Sequence, residues 1–532
     1  MMKKIINILP ILTLSLFISC DDSILDKKPL GQISDASVWQ DLALVELQVN
    51  DIYDDLPDGF NRGWYMLAAA TDDGENSYVW PSGQAFNRGD YDASNYPMGG
   101  TWNGHYSAIR KANEFFSRID QVPDSDGDLG NRLKGEVGFL RAYFYFDLSR
   151  HYGGVPLITT PQGLDEDLLV SRNNYEECVD FVVAELDKAA ALLPDSHSGS
   201  NVGRATKGAA LALKGRVLLY AERWAQSAQA SKDVMDMNYA LFGDYEGIFH
   251  SSNENNDEVV FDIQFNEPDR SHWAQLFNGV NGHVPGGWGG TSPTQELVDS
   301  YELTDGELYS DSPLYDANSP YDNRDPRFYA SIIYDGAVWT GSEVQTRLGG
   351  VGGIGFSGDA TKTGYYMRKF MEEDFQPSIG SLGASNNWIL IRYAEVLLNY
   401  AEAQNEEAGP DATVYDAVNQ VRARVSMPPL PAGLSQSEMR DRIRRERRVE
   451  LAFEEHRFWD VRRWRIADDV LNKPIHGMRI GPNGEFSGTG PNGETLGRFE
   501  VENRVFESRH YLAPIPQGEI DKNSNLTQNP NW

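Results

Sequence analysis

Apolar residues recur at helical spacing through most of the first 240 positions and again near the end of the chain. The spacing predicts helices over about 36–55 and 101–119. In KGEVGFLRAYFYFDLSRHYGG, residues 134–154, apolar side chains surround the whole helix, so it is expected to be buried on every side. Gly135, Gly138 and Ala142 fall on one seam where a neighbour can come close, and Gly153, Gly154 and Pro156 stop the helix. ATKGAALALKGRVLLYAERW, residues 205–224, repeats this logic with a seam of Gly208, Ala212 and Gly215, and a second amphipathic helix starts near Trp224. ILIRYAEVLLNYAEAQNEEAGPDATVYDAVNQVRAR, residues 389–424, does so again with Ala394 and Ala401, its second helix starting near Thr413. Paired helices that cross at small residues resemble tetratricopeptide units, without a clean repeat period.

Between 241 and 385 the helical signal gives way to short alternating stretches such as EVVFDIQF, punctuated by Gly, Pro, Asn and Asp. Loops this long in a compact body are usually functional. Two PNGE turns, at 482–485 and 491–494, predict a hairpin excursion. The expected divisions are 1–19, a signal peptide; 20–35, a lipidated tether; 36–240, a helical part; 241–385, a loop-rich ligand-binding subdomain; and 386–532, a second helical part with a polar tail. The last three are expected to form one intertwined unit, mainly α: a tetratricopeptide-like superhelix with the loop-rich subdomain packed on it.

The amino terminus supplies the cellular address. Lys3-Lys4 precede a short apolar run ending at Ser19-Cys20. That run is too short to span a bilayer and reads as a secretory signal. Cys20 directly after the cleavage point matches a bacterial lipobox, except that Phe17 stands where Leu is usual. The expectation is a lipid anchor at Cys20 that holds a water-facing body on a membrane surface. The other cysteine, Cys178, has no partner and sits at helical spacing with Val182 and Leu186, as a small core residue. The 47 basic and 79 acidic residues leave a net charge of −32, which repels nucleic acid and anionic lipid.

The 12 Trp, 25 Tyr and 23 Phe, together with 50 Gly, suggest long ordered loops that carry exposed rings as well as a packed core. Trp288 in VPGGWGGTSP has glycine pairs on both sides, so it is either presented to solvent or folded down as a loop plug. The segment 72–98 offers Asp72, Tyr78, Trp80, Arg88, Tyr91 and Tyr96, and Trp273 and Trp339 follow in the loop-rich part. Trp102, Tyr106 and Asn113 read as structural, and Arg327, Arg368 and Lys369 as ties between insert and helices. Residues 440–465 hold ten arginines interleaved with acids, such as Glu446 and Glu450 near Arg442 and Arg447: an ion-pair-laced helix.

Catalytic patterns are missing from the sequence. Adjacent Glu454 and Glu455 point to different helix faces, and no G-x-S-x-G, P-loop, dinucleotide or H-E-x-x-H pattern occurs. No cofactor is expected. Asp124, Asp126 and Asp128 imitate the start of a calcium loop, but Gly130 and Glu136 each fall one place late, which favours a solvated turn over a structural calcium.

Taken in order, the Cys20 lipobox with its Asp pair, TWNGHYSAIRKANEFF, GEVGFLRAYFYFDLSRHYGGVPL, KGAALALKGRVLLYAERW, IRYAEVLLNYAEA, RRERRVELAFEEHRFWDVRRW and YLAPIPQGEIDKNSNLTQNPNW resemble the SusD/RagB family of Bacteroidetes outer-membrane lipoproteins. The resemblance implies four tetratricopeptide-like pairs and a looser subdomain. It also implies binding of oligo- or polysaccharide at the cell surface, partnership with a SusC-like TonB-dependent transporter, and no enzymatic activity. It places ligand contacts near Trp288, and on an aromatic shortly before the TW-x-x-x-Y helix, here Tyr96 or Trp80. The alternatives are the same architecture binding peptides or glycopeptides, and a surface glycoside hydrolase.

Overall fold

The computed structural model describes residues 35–532 except 61–64, 79–82, 164, 284–286 and 376–382, so Cys20, the signal segment and most of the tether lie outside the described residues. The longer helices are α1 (Leu42–Tyr53), α2 (Gly100–Arg118), α3 (Asp128–Tyr152), α4 (Tyr175–Leu192), α5 (Lys207–Tyr220), α6 (Trp224–Met235), α7 (Tyr393–Ala408), α8 (Ala412–Arg424), α9 (Gln436–Glu450) and α10 (His456–Arg463). Side chains mark their starts. Asn174 with Glu177, and Ser435 with Glu438, form capping boxes on α4 and α9; Thr206 and Asp411 cap α5 and α8.

From α2 to α9 each helix packs on the next, which makes the superhelix that the periodicity predicts. The small-residue seams are the crossings. A methyl group on Gly135 would lie 2.9 Å from Leu193 Cγ, beside α4, and one on Gly215 would lie 2.8 Å from Ser231 Oγ on α6. Helix α3 is buried almost all round, and its buried charged residues are paired: Glu136, for example, meets Arg132 at 2.8 Å and Arg204 at 2.9 Å. Cys178 is buried, and burial pushes its thiol pKa up.

The chain leaves the stack after α6 and returns at α7, yet α6 and α7 pack directly together. The loop-rich part is thus an insertion between two neighbouring helices. The sheets are small. Besides two two-residue ladders within the insertion, 332–333 with 366–367 and 338–339 with 342–343, the strands are β1 (Gly74–Asn76), β2 (Val259–Ile263), β3 (Thr291–Pro293), β4 (Trp388–Arg392), β5 (Ile475–Arg479), β6 (Gly488–Thr489) and β7 (Thr495–Glu502). Pairing is antiparallel: β1 with β3, β2 with β4, and a three-stranded sheet in the order β6-β7-β5. The two PNGE turns fall between β5 and β7 and close alike, Gly481 N–H donating to Glu485 O and Gly490 N–H to Glu494 O.

The arginine-rich segment is two helices, α9 and α10, parted by a turn in which Phe453 and Glu455 take φ of 64° and 65°. Its ion pairs differ from the expectation of pairs within one helix. Glu446 is held by Arg327 at 2.6 Å and Arg422 at 2.8 Å, Arg442 reaches Glu302 at 3.0 Å, and Arg447 reaches Asp460 at 2.8 Å. Glu450 accepts from Arg392 of β4 at 2.6 Å, from Arg327 of the insertion at 3.0 Å, and from Arg424 of α8. Arg392 also bonds Glu258 at 2.7 Å and Glu454 at 2.6 Å, and Lys369 bonds Glu454 at 2.6 Å. Arg327 and Lys369 are therefore ties between insertion and helices, as expected. Arg368 instead pairs within the insertion, with Glu246 and Glu373, both at 2.7 Å.

Burial alone would raise the Glu450 pKa, but the guanidiniums of Arg424, Arg392 and Arg327 outweigh it and hold the carboxyl well below the usual range. Removing one partner leaves buried carboxylates uncompensated. Arg392→Met is expected to lower unfolding free energy by about 3–5 kcal/mol in urea titration; a loss under about 1 kcal/mol would show that the network does not hold the insertion.

Candidate functional site

The site begins at a short helix, Ala274–Asn278, with Trp273 at its N-cap. Trp273 and Phe277 stand one turn apart on the same face, their rings 5.9 Å apart at 33°. The chain then loops back. Trp288 N–H donates to Leu276 O at 2.8 Å, Gly289 N–H to Gly279 O at 3.1 Å and Gly290 N–H to Phe277 O at 2.6 Å. This return lays Trp288 beside Phe277, 5.8 Å away at 34°. Glycine is required at 287, where a methyl group would lie 2.3 Å from Gly279 Cα. The result is a row of three rings, with Trp273 exposed and Phe277 and Trp288 half-buried.

The β1–β3 pairing brings in the earlier segment. Asn76 faces Thr291, and Ser77 N–H donates to Gly290 O at 3.1 Å. Tyr78 therefore lands beside Gly289, and its hydroxyl donates to Phe277 O at 3.3 Å. Burial, with Asp359 nearby, pushes the Tyr78 phenol up, so it stays a neutral donor. Asn76 Nδ2, Asn278 Oδ1 and His283 Nε2 in this region are buried without a hydrogen-bond partner, a cost that ordinary packing avoids.

Of the residues proposed from sequence, Trp273, Trp288 and Tyr78 come together here, and Trp80 lies outside the described residues. The others do not join them. Asp72 is turned inward, 5% exposed, with Arg457 at 2.7 Å and Arg448 at 3.0 Å on its carboxylate. Trp339 is 1% exposed, beneath the Arg368 guanidinium. Tyr96 is wedged among Phe86, Tyr91 and Tyr152, and burial raises its phenol pKa well above the usual value. Arg88 is open to solvent but pairs with Asp90 at 2.8 Å, and the adjoining Asn87 and Gly89 pack on residues 505–510. Phe277 escaped the sequence reading although WAQLF carries the one-turn spacing.

A buried knot supports the row. His272, one residue before Trp273, stacks on Phe60 at 4.0 Å, and Phe60 meets Trp388 at 5.0 Å and Phe370 at 5.3 Å. A second concavity, about 460 Å³, runs along α2 beside Trp102, Tyr106 and Leu168. Three of its lining side chains are engaged: the Tyr106 hydroxyl by Pro156 O, Asn113 by Ile158 O and Arg141, and Asn523 by Val170 O. Among the described residues no cluster of three or more His, Cys, Asp or Glu could hold a metal, and Asp126 lies 3.1 Å from Lys134.

Comparison with known proteins agrees with this architecture. Residues 257–532 match the SusD family model, and residues 28–219 match a family described as starch-binding, associating with the outer membrane. The chain belongs to the SusD family. A SusD-like protein of Bacteroides fragilis is 34% identical, with 95% of this chain and all of that one covered and a TM-score of 0.82. A SusD-like carbohydrate-binding protein of the same species is 30% identical, covering 92% of this chain and all of that one, with a TM-score of 0.83. A SusD-like protein of Formosa agariphila is 25% identical over 80% of this chain and 78% of its own length. Among the described residues no helix is long and apolar enough to cross a membrane.

The knot also predicts a pH dependence. His272 Nε2 donates to Asn386 O at 3.0 Å, and its Nδ1 accepts from Ala274 N–H at 3.3 Å, so the neutral ring uses both nitrogens. Burial lowers its pKa to about 4. In the unfolded chain the ring takes up a proton near pH 6.5, so stability falls as pH drops from there to about 4, by at most about 3 kcal/mol for this group. His272→Phe should be less stable than wild type at neutral pH, with the gap closing on acidification. A gap that stays constant in urea titrations from pH 7.5 to 4.5 would contradict the assignment.

Proposed function

We propose that the protein binds a neutral oligo- or polysaccharide at the cell surface, held by a lipid at Cys20, and passes it to a SusC-like TonB-dependent transporter for uptake. The observation that carries this reading is the row of Trp273, Phe277 and Trp288 with Tyr78 at its side. Rings spaced this way offer successive apolar faces to a chain of sugars. The neighbouring cations are already engaged, which favours an uncharged glycan. Lys362 Nζ bonds Asn76 O at 2.8 Å and lies 3.7 Å from Glu75, and Arg270, three residues before Trp273, is paired with Asp54 at 3.1 Å. Binding needs no covalent step. Glu454 is held by Lys369 and Arg392, and Glu455 accepts the Leu67 N–H at 2.9 Å, so neither stands as a free acid beside the rings.

Membership of the SusD family, the match to an outer-membrane-associating family, and the lipobox sequence support the surface location and the transporter partnership. Electrophoresis through gels containing neutral polysaccharides tests the binding. Retention of wild type should fall in Trp288→Ala and Trp273→Ala, each losing about three- to tenfold in affinity, with melting temperature little changed. Wild-type mobility unaltered on every gel, with capture of peptides instead, would favour the peptide-binding alternative. Release of reducing sugar would favour a hydrolase.

A further inference from the structure

Among the described residues two aromatic side chains are more than a third exposed: Trp273 at 40% and Phe356 at 50%. Phe356 lies beside Gly282, and Trp273 opens the ring row that Trp288 closes. Phe356 belongs to LGGVGGIGFSGD, residues 348–359, as does Val351, 45% exposed.

This segment is a built turn. Gly349, Gly352 and Gly355 take φ of 79°, 81° and 82°, which only glycine adopts readily. The Tyr366 hydroxyl donates to Gly352 O at 2.7 Å, Gly353 N–H to Gly350 O at 3.0 Å and Phe356 N–H to Gly353 O at 2.9 Å. The turn is pinned to the Trp288 loop. Ser357 Oγ donates to Asn281 Oδ1 at 2.9 Å, and Asn281 Nδ2 donates to Gly287 O at 3.2 Å. A methyl group on Gly282 would meet Val351 Cγ1 at 2.6 Å and Phe356 Cε1 at 3.2 Å, and one on Gly289 would meet Asp359 O at 2.9 Å. Two apolar side chains are thus fixed against Gly282 while remaining about half exposed, an arrangement that core packing does not explain.

We infer that Val351 and Phe356 form a second apolar strip of the same site, receiving sugar units beyond those stacked on Trp273, Phe277 and Trp288. The inference rests on the reading of that row as a glycan platform. Neither side chain has a polar atom, so the strip reads no hydroxyl position. It rewards chain length instead, and makes the preferred ligand a neutral chain longer than the ring row alone can hold.

The test uses soluble starch and laminarin, with short and long oligosaccharides of each, titrated against wild type, Phe356→Ala, Phe356→Trp and Trp288→Ala. Phe356→Ala should lose about three- to tenfold in affinity for the long oligosaccharide and the polymer, and stay within about twofold of wild type on the short one. Phe356→Trp should restore the long-chain affinity, and melting temperatures should be unchanged because the ring is half exposed. Equal affinity of Phe356→Ala and wild type for all lengths overturns the inference. An equal loss at all lengths does so too, because Phe356 would then be part of the primary row. Failure of Phe356→Trp to restore binding, in a protein that melts normally, also counts against it. Should Trp288→Ala bind as wild type, or wild type bind neither glucan, the platform reading itself fails.

Discussion

Glu450 accepts from three arginines that arrive from different parts of the chain: Arg327 from the insertion, Arg392 from β4 and Arg424 from α8. The rest of the architecture depends on that convergence. One apolar core spans the insertion and the superhelix, with Phe261 of β2 4.9 Å from Phe139 of α3, but apolar contact is non-directional and tolerates small shifts. Buried charge does not permit this. An arginine displaced from its carboxylates leaves both uncompensated in a poorly solvated interior. Such pairs add little net stability over a well-packed apolar alternative. Here their contribution is to specify one placement of the insertion, and so of the rings it carries.

From that placement the site follows. β4 carries Trp388 at one end and Arg392 at the other, so the strand that meets Glu450 also floors the aromatic knot under His272. The knot seats the helix that lifts Trp273 and Phe277, and backbone hydrogen bonds from residues 288–290 bring Trp288 alongside. A rigid base with open rings suits sugar binding, since each ring contributes only about 1 kcal/mol and a floppy mount would forfeit it to entropy.

The helical body was legible because its signals are local. Capping residues, the apolar period, and the seams at Gly135 and Gly215 each act within one helix or one crossing. The insertion was legible only as a loss of period. Individual side chains divided by whether their partners are near in sequence. Trp288 between its glycines was a sound candidate, and Phe356 in an equally glycine-rich turn could have been chosen on the same ground. Asp72 looked like a loop acid because Arg448 and Arg457, which take it inward, lie hundreds of positions away. Tyr96 and Trp339 failed for another reason: Phe86, Tyr91 and Tyr152 around one and Arg368 over the other lie nearer in sequence, but a ring in a glycine- and asparagine-rich stretch does not reveal that the chain folds back over it. The ion pairs of α9 were predicted in kind and misassigned in partner, because helical spacing suggested neighbours where the fold supplies other elements.

The central claim is that sugar lies across the rings at the insertion's edge. The most direct measurement is a crystal structure of the protein soaked with a neutral oligosaccharide. The account predicts pyranose faces against Trp273, Phe277 and Trp288, with the chain running toward Phe356. Sugar lodged instead in the concavity along α2 beside Trp102 and Leu168, with the ring row bare, would contradict it.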